Sequence, residues 1–571
     1  MLLAQLRIAN FRGIGEASLD LDPTTVLIGE NNVGKTSLLA ALERCLGLGV
    51  EGEEFAFAAG DFGRDAEGGS DPRPIEIDLR FRERETGEWR APEFEPLRPT
   101  MTRRGRRGEI HLRVVAECRG AEIAAAWSFL DRRGKALEAP GCLAALRKLS
   151  PFVLVDVDRR ARADSPRPVA RRDDAVGQAL ERRIDAVYRV VVHARRSPDP
   201  GELADGLAAV QEWLGRRELT GLSATEQHRL VRDLVETPVD ISLAGNGGFQ
   251  GSGLRSIGLL LVVGALLEAR GPLHVASEAQ PILAIEEPEG HLHPLLLDSV
   301  WGLIAGLRAQ KLVTTNSPEL LGAVPLGSMR RLSRDAANVR IDALREQTLD
   351  LEEMRRVSYH VRMRRGGALF ARCWLLVEGE TEFWLFPELA RLAGCDLAAD
   401  GVDLVEFAQC GPEPLVKLAN DLGIPWHLFV DGDRPGKTYA ASVRAHLGEA
   451  LEEDRITVLR EPDMEHCLWR NGYAEVYRRA AGKRGSDSKR DGQRGSHSKG
   501  KHRRRSQDSP GRHGRRGERP GRTIERAVRA RSKPRLALDV VLEAQRKASP
   551  GVPGPIQRAV EACVRLARAH T

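Results

Sequence analysis

The sequence predicts an α/β chain in two parts: a glycine-loop domain interrupted by a helical insertion, then a second domain on a parallel sheet. Three observations carry this reading. An apolar strand, TTVLIG, runs into GENNVGKT and then into a helical stretch. Four apolar residues, 282–285, form a short strand that ends in Glu286-Glu287-Pro288-Glu289. From Cys373 onward strands and helices alternate again, and acids follow three of the strands.

At 571 residues and 62.8 kDa the chain exceeds one domain of roughly 100–200 residues. Its 42% hydrophobic and 29% charged residues are ordinary for a globular core. The longest apolar run, Ile257 to Leu267, falls short of the ~20 residues a membrane span needs. MLLAQLRIANFRG carries no charged region ahead of a long apolar one, so no secretory signal is expected. The eight cysteines are scattered without a CxxC pair. That argues against a disulfide framework or a zinc ribbon and fits a reducing cytoplasm, the expected location.

In order, LLAQLRIANF, EASLDLD and TTVLIG read as strands and Ser37–Leu48 as a helix stopped by Gly47 and Gly49. Period-2 segments, IEIDLRF and IHLRVVAEC, with RRGRRGE as a turn, predict an antiparallel layer over about 74–131. These belong to a first part, 1–171. Residues 172–240 turn helical, an insertion, and 241–330 return to the first domain. A basic, poorly apolar stretch, 331–369, reads as a linker. The second domain spans 370–480, a basic insertion 481–522, and amphipathic helices 523–571.

The net charge of +6 is local in origin. Residues 481–520 hold 14 Lys/Arg against four acids, +10, which leaves 6 − 10 = −4 for the rest. A Gly/Ser/Arg-rich tract without apolar residues buries no core, so it reads as a solvated, disordered insertion. Its charge would also suit a polyanion.

Gly29-Glu30-Asn31-Asn32-Val33-Gly34-Lys35-Thr36 matches G-x-x-x-x-G-K-[ST] between a strand and a helix. Gly29, Asn31, Asn32, Gly34 and Ser37 place backbone amides around phosphates. Lys35 reaches the β/γ-phosphates of ATP and Thr36 holds Mg²⁺. The strand end at 286–289 supplies what such a loop lacks: Glu286 to help hold Mg²⁺ and Glu287 to polarise the attacking water. His291-Leu292-His293 has no third ligand at helical spacing and is not assigned a metal.

These motifs, with NFRGI and GSGLRSIGLLL, resemble the ATPase head of ABC-type, SMC/RecF-like proteins. The resemblance implies that Ser252 and Gly253 of one protomer contact the γ-phosphate held by the other, hence a homodimer or higher homo-oligomer. Where that family usually has a switch histidine, this chain has Asn316, which donates a hydrogen bond but carries no charge. ATP binding is expected, with slow turnover.

In the second domain Glu378 ends a strand and Glu382 follows one helical turn later. Asp431-Gly432-Asp433 ends the strand WHLFV, and Asp463-Met464-Glu465 follows RITVL. Six acids at three strand ends suit Mg²⁺ or Mn²⁺ rather than zinc. GDRPGKT, one residue short between its glycines, is rejected as a second phosphate loop.

VEGETE and FVDGD resemble the Toprim domain, and the order head–Toprim resembles the OLD (overcoming lysogenization defect) family of nucleases. The resemblance implies two metals on Glu378, Glu382, Asp431, Asp433 and Glu465, with Asp463 as a further ligand, and a late lysine, matched by Lys533. Glu378, Asp431, Asp433 and Lys533 would be catalytic. It also implies dimerisation through 172–240, DNA as substrate, a helicase-like partner, and phage defence or DNA repair as the setting, with no membrane. The resulting reading is an ATP-regulated, metal-dependent DNA endonuclease. The alternative is a non-cleaving RecF/SMC-like DNA-binding switch. A tyrosine-based strand breaker is disfavoured, since none of the five tyrosines (188, 359, 439, 473, 477) lies in a winged-helix context.

Overall fold

The computed structural model describes residues 1–47, 57–63, 72–120, 122–156, 280–290, 292–294, 297–362, 366–482, 520–546 and 548–569. The expected insertion 172–240, Ser252, Gly253, His291 and residues 483–519 of the basic tract lie outside them. Contacts divide the chain into two units, residues 1–347 with 361–370, and residues 348–360 with 371–571.

The first unit is built on one large sheet. Its strands are β1 (Leu2–Phe11), β2 (Ile14–Asp20), β3 (Thr24–Gly29), β4 (Ile75–Arg82), β5 (Thr102–Arg104), β6 (Arg107–Arg119) and β7 (Glu122–Leu130). They continue with β8 (Ala136–Leu137), β9 (Phe152–Asp156), β10 (Ile282–Glu286), β11 (Gln310–Thr314), β12 (Met329–Asp335) and β13 (Asn338–Ala343). The order is β8-β7-β6-β4-β1-β2-β13-β12-β3-β11-β10-β9, with β5 on β6. Strands β1, β2, β4, β6 and β7 pair antiparallel, and for β4, β6 and β7 this is the layer the period-2 pattern predicts. In β4 Ile75, Ile77, Leu79 and Phe81 are buried, alternating with more exposed polar residues. Strands β9, β10, β11, β3 and β12 are parallel. β10 is apolar and buried from Ile282 to Ile285, and only Glu286 at its end is partly exposed. Helices α1 (Lys35–Leu46), α2 (Cys142–Leu149), α3 (Leu297–Gly306) and α4 (Pro318–Ala323) complete the described part.

Residues 331–369 are not a linker. They contain most of β12, which lies beside β3 near the middle of the sheet, and all of β13. The strand is hard to see because two of its inward positions are arginines. Arg330 is buried but donates to the Asp20, Gly327 and Met329 carbonyls and pairs with Asp22 at 2.6 Å. Arg331 is buried with Nε on the Leu369 carbonyl, and burial pulls its pKa down to about 10. Hydrogen-bonded guanidinium groups stand where a central strand ordinarily carries aliphatic side chains.

The second unit has a four-stranded parallel sheet, β15-β14-β16-β17, from β14 (Cys373–Val377), β15 (Val402–Glu406), β16 (Trp426–Val430) and β17 (Ile456–Val458). Its helices are α5 (Leu351–His360), α6 (Glu380–Leu392), α7 (Pro412–Asp421), α8 (Arg434–Arg444), α9 (Glu452–Arg455), α10 (Met464–Leu468), α11 (Ala474–Gly482), α12 (Pro520–Ala530), α13 (Lys533–Ala544) and α14 (Gly554–Arg568). α5, from the expected linker, belongs here: Lys417 on α7 pairs with Glu353 at 2.8 Å, and Thr348 donates to Asp421 at 2.6 Å. The late helices are part of the same core. Ile524, Leu536, Val540, Ile556 and Val560 are buried in one cluster with Leu375 and Val377 of β14 and Leu385 of α6. Each such side chain contributes about 1.5–3 kcal/mol relative to exposure. That packing brings α13, and Lys533 at its start, to the sheet. Among the described residues no helix is long and apolar enough to cross a membrane.

Candidate active sites

In the first unit β3 delivers the chain into the phosphate loop and α1 carries it away. Gly29 has φ +151°, and a Cβ there would lie 2.6 Å from the Leu332 carbonyl of β12, so only glycine fits. Asn32 and Gly34 also have positive φ (64° and 118°), which curls the loop back on itself. Lys35 is buried and donates to the Gly29 and Glu30 carbonyls at 2.6 and 3.0 Å. Burial lowers its pKa, against the opposing pull of Glu287, Glu289, Glu286 and Glu30. The first turn of α1 holds no acid, so no carboxylate of its own competes with an anion there. Asn31, Asn32 and Thr36 are exposed, and Ser37 is half-buried behind them. Arg334, which the sequence reading missed, steadies the loop by donating to the Asn32 and Gly13 carbonyls. A lone exposed arginine at a strand end gives no signal in sequence.

Opposite the loop, parallel pairing of β10 with β11 aligns Glu286 with Thr314. Thr36 donates its hydroxyl to Glu286, so the two residues expected to flank Mg²⁺ are in contact. Glu287 takes a left-handed conformation, φ 45°, with its amide on the Thr314 carbonyl at 3.0 Å. Its carboxylate accepts from Asn316 Nδ2 at 2.5 Å. Gly29, Asn31, Asn32, Gly34, Lys35, Thr36, Ser37, Glu286, Glu287 and Asn316 therefore stand together around the loop and the end of β10.

In the second unit Glu378 follows β14, Glu382 lies in the first turn of α6, Asp431 and Asp433 follow β16, and Asp463 and Glu465 stand at the start of α10. Three of the acids are engaged by other donors. Asp433 caps α8 through the Gly436 amide at 2.8 Å. Asp463 caps α10 and meets His466 Nδ1 at 2.6 Å. Glu465, 3% exposed, pairs with Lys533 at 3.2 Å. The other three are strained electrostatically. Burial, then Glu382, Glu378, Asp463 and Glu465, push Asp431 up to about 8. Burial, with Glu465 and Glu378 against Lys533, raises Glu382 to about 7. Burial and Asp433 raise Glu378, whose buried Oε2 has no hydrogen-bond partner. Burial disfavours the Lys533 charge, but Glu465, Glu382 and Asp463 outweigh it and hold its pKa above the ordinary lysine value.

Among the described residues no three His, Cys, Asp or Glu side chains stand as a finished cation cage. The oxygen-only donor set, the orphaned Glu378 oxygen and the mutual repulsion nevertheless fit a hard divalent cation. Gly432 lets the strand end pass the loop after β17. A Cβ there would meet the Leu459 and Glu461 carbonyls at 2.3 and 2.4 Å. Gly432→Ala should therefore cost more than about 2 kcal/mol, measurable by chemical denaturation.

A phosphate-loop unit on a mixed sheet, followed by a parallel-sheet unit with carboxylates at its strand ends, defines the class: an ATPase-type head joined to a Toprim-type domain. Residues 1–368 match the family described as "Protein of unknown function (DUF2813)", and residues 369–433 match "Overcoming lysogenization defect protein-like, TOPRIM domain". The chain belongs to the first family and carries the second domain, the order expected from its motifs. It is 33% identical over 594 residues to "Uncharacterized protein YbjD" of Escherichia coli (strain K12), covering 100% of this chain and 99% of that protein. Among solved structures it is similar to an SMC head domain from Thermotoga maritima (15% identity, 60% of this chain and 100% of that one, TM-score 0.31). It is also similar to the C-terminal region of the Burkholderia pseudomallei OLD protein (18% identity, 35% and 99%, TM-score 0.25).

Proposed function

We propose that this protein is an ATP-regulated, divalent-metal-dependent DNA endonuclease of the cytoplasm, acting in phage defence or DNA repair. The observation that carries the proposal is the set of three unspent carboxylates, Glu378, Glu382 and Asp431, whose charges repel one another beside a single lysine. A structural acid cluster would be neutralised by partners already present. This one is left in need of added positive charge. With Asp433 and Glu465 they would hold Mg²⁺ or Mn²⁺, and Asp463 would orient the rim. Such cations, when bound, activate water and stabilise a leaving phosphate oxygen. Lys533 contributes a fixed positive charge for the phosphate.

In the head, Lys35 and the loop amides hold ATP phosphates, Thr36 and Glu286 hold its Mg²⁺, and Glu287 orients water. Asn316 supplies a neutral donor, which suits a slow switch better than a fast motor. Ser252 and Gly253 of a second copy would complete each nucleotide site, making the working form at least a dimer.

The pKa directions give a test on the metal-free protein. Between the ordinary carboxylate value of about 4 and the raised values of about 7 and 8, the folded state binds more protons than the unfolded one. Stability should fall as pH rises through that window, and added Mn²⁺ should relieve the loss. Mn²⁺ should also bind more tightly at pH 8.5 than at pH 6, by calorimetry. Equal stability and no Mn²⁺ binding across that range would contradict the proposed cation site.

A further inference from the structure

Glu289 has no assigned part in the nucleotide site, yet its carboxylate joins the two loops that carry Glu287 and Asn316. Its Oε1 accepts from the Asn316 backbone amide and from the Thr315 hydroxyl, both at 2.8 Å. Thr315 Oγ1 in turn accepts from the Ser317 amide at 3.0 Å, and Ser317 caps α4 through the Leu320 amide at 3.1 Å. The backbone of Asn316 is thus fixed by Glu289, while its side-chain amide is fixed by Glu287. The other Glu289 oxygen, Oε2, is buried without a hydrogen-bond partner. The charge is therefore spent on one oxygen and two donors, which makes both bonds charge-assisted.

We infer that Glu289 is a positioning residue for ATP hydrolysis: it sets Asn316 against Glu287 and touches neither nucleotide nor metal itself. The inference rests on the reading of this site as an ATPase. Asn316 is neutral, so it works by geometry alone, and misplacing such a group by about 1 Å is enough to cost roughly 10²-fold in rate. The phosphate-loop amides lie on another segment and Glu289 reaches Lys35 only through its charge, so nucleotide affinity depends on the latch far less than turnover does.

Steady-state ATPase assays and nucleotide titrations on the full chain test this. Glu289→Ala should lower kcat by about 10–100-fold with ATP affinity within about threefold of wild type. Glu289→Gln keeps an acceptor at Oε1 and should restore most of the rate. Thr315→Val removes two bonds of the latch, the one donated to Glu289 and the one accepted from the Ser317 amide, at nearly constant volume, and should give an intermediate loss. It keeps the test open should the alanine variant fail to fold. Because Glu289 acts through Asn316, Glu289→Ala should add nothing in an Asn316→Ala background. Additive losses, or a wild-type kcat in Glu289→Ala or in Thr315→Val, would overturn the positioning role. A wild-type protein that binds ATP but never hydrolyses it would instead overturn the ATPase reading beneath it.

Discussion

Purified Asp431→Ala or Glu378→Ala protein should fail to nick supercoiled plasmid, a loss of at least ~10³-fold, while its ATP hydrolysis survives. The two substitutions act by different routes. Asp431 is held up to about 8 by burial and then by four neighbouring carboxylates, so removing it relaxes the metal-free site and weakens cation binding at once. Glu378 keeps a buried oxygen without a partner, and that oxygen has no use except toward an added donor or cation. Lys533→Ala is the informative contrast. It deletes a charge set on Glu465, so cleavage should slow by about 10²-fold while Mn²⁺ binding persists. Unchanged nicking by Asp431→Ala would discard the nuclease reading of this domain.

The second large effect lies in the head. Lys35→Ala should abolish nucleotide binding, because Lys35 is the cation that GENNVGKT itself carries and it is buried in the loop. Glu287→Gln should bind ATP with near wild-type affinity and hydrolyse it at least ~10²-fold more slowly. The geometry makes that variant a fair test. Glu287 is held by its own backbone, with its amide on Thr314, so its side chain can change without moving the turn. Nucleotide titration and phosphate release separate the two outcomes. Normal hydrolysis by Glu287→Gln would remove Glu287 as the residue that orients water.

Both sites were legible in the sequence where a strand end meets an unusual local composition. GENNVGKT is constrained by backbone sterics, as Gly29 shows against the Leu332 carbonyl, and such constraints leave fixed residues at fixed spacing. The acids after β14 and β16 were legible for a related reason, since carboxylates following buried apolar strands have few structural uses. Less legible was whatever depends on distant chain. β12 was read as linker because Arg330 and Arg331 occupy buried positions, and their partners, Asp20, Asp22 and Leu369, come from other segments. Lys533 was placed by resemblance. Its physical warrant is the shared core of α13 with β14 and α6, which periodicity alone does not reveal. Glu289 stood in plain view in EEPE, yet its role depends on Thr315 and Asn316, which only the pairing of β10 with β11 brings alongside.

The measurement that bears most directly on the central claim is the wild-type protein incubated with supercoiled plasmid, with Mn²⁺, Mg²⁺ or EDTA and with or without ATP. Nicked circles should form with a divalent metal and not with EDTA, at a rate that changes on adding ATP. If no divalent metal, ATP state or DNA form yields nicking, the carboxylate site is not a nuclease centre, and the chain is better read as a DNA-binding switch that does not cleave.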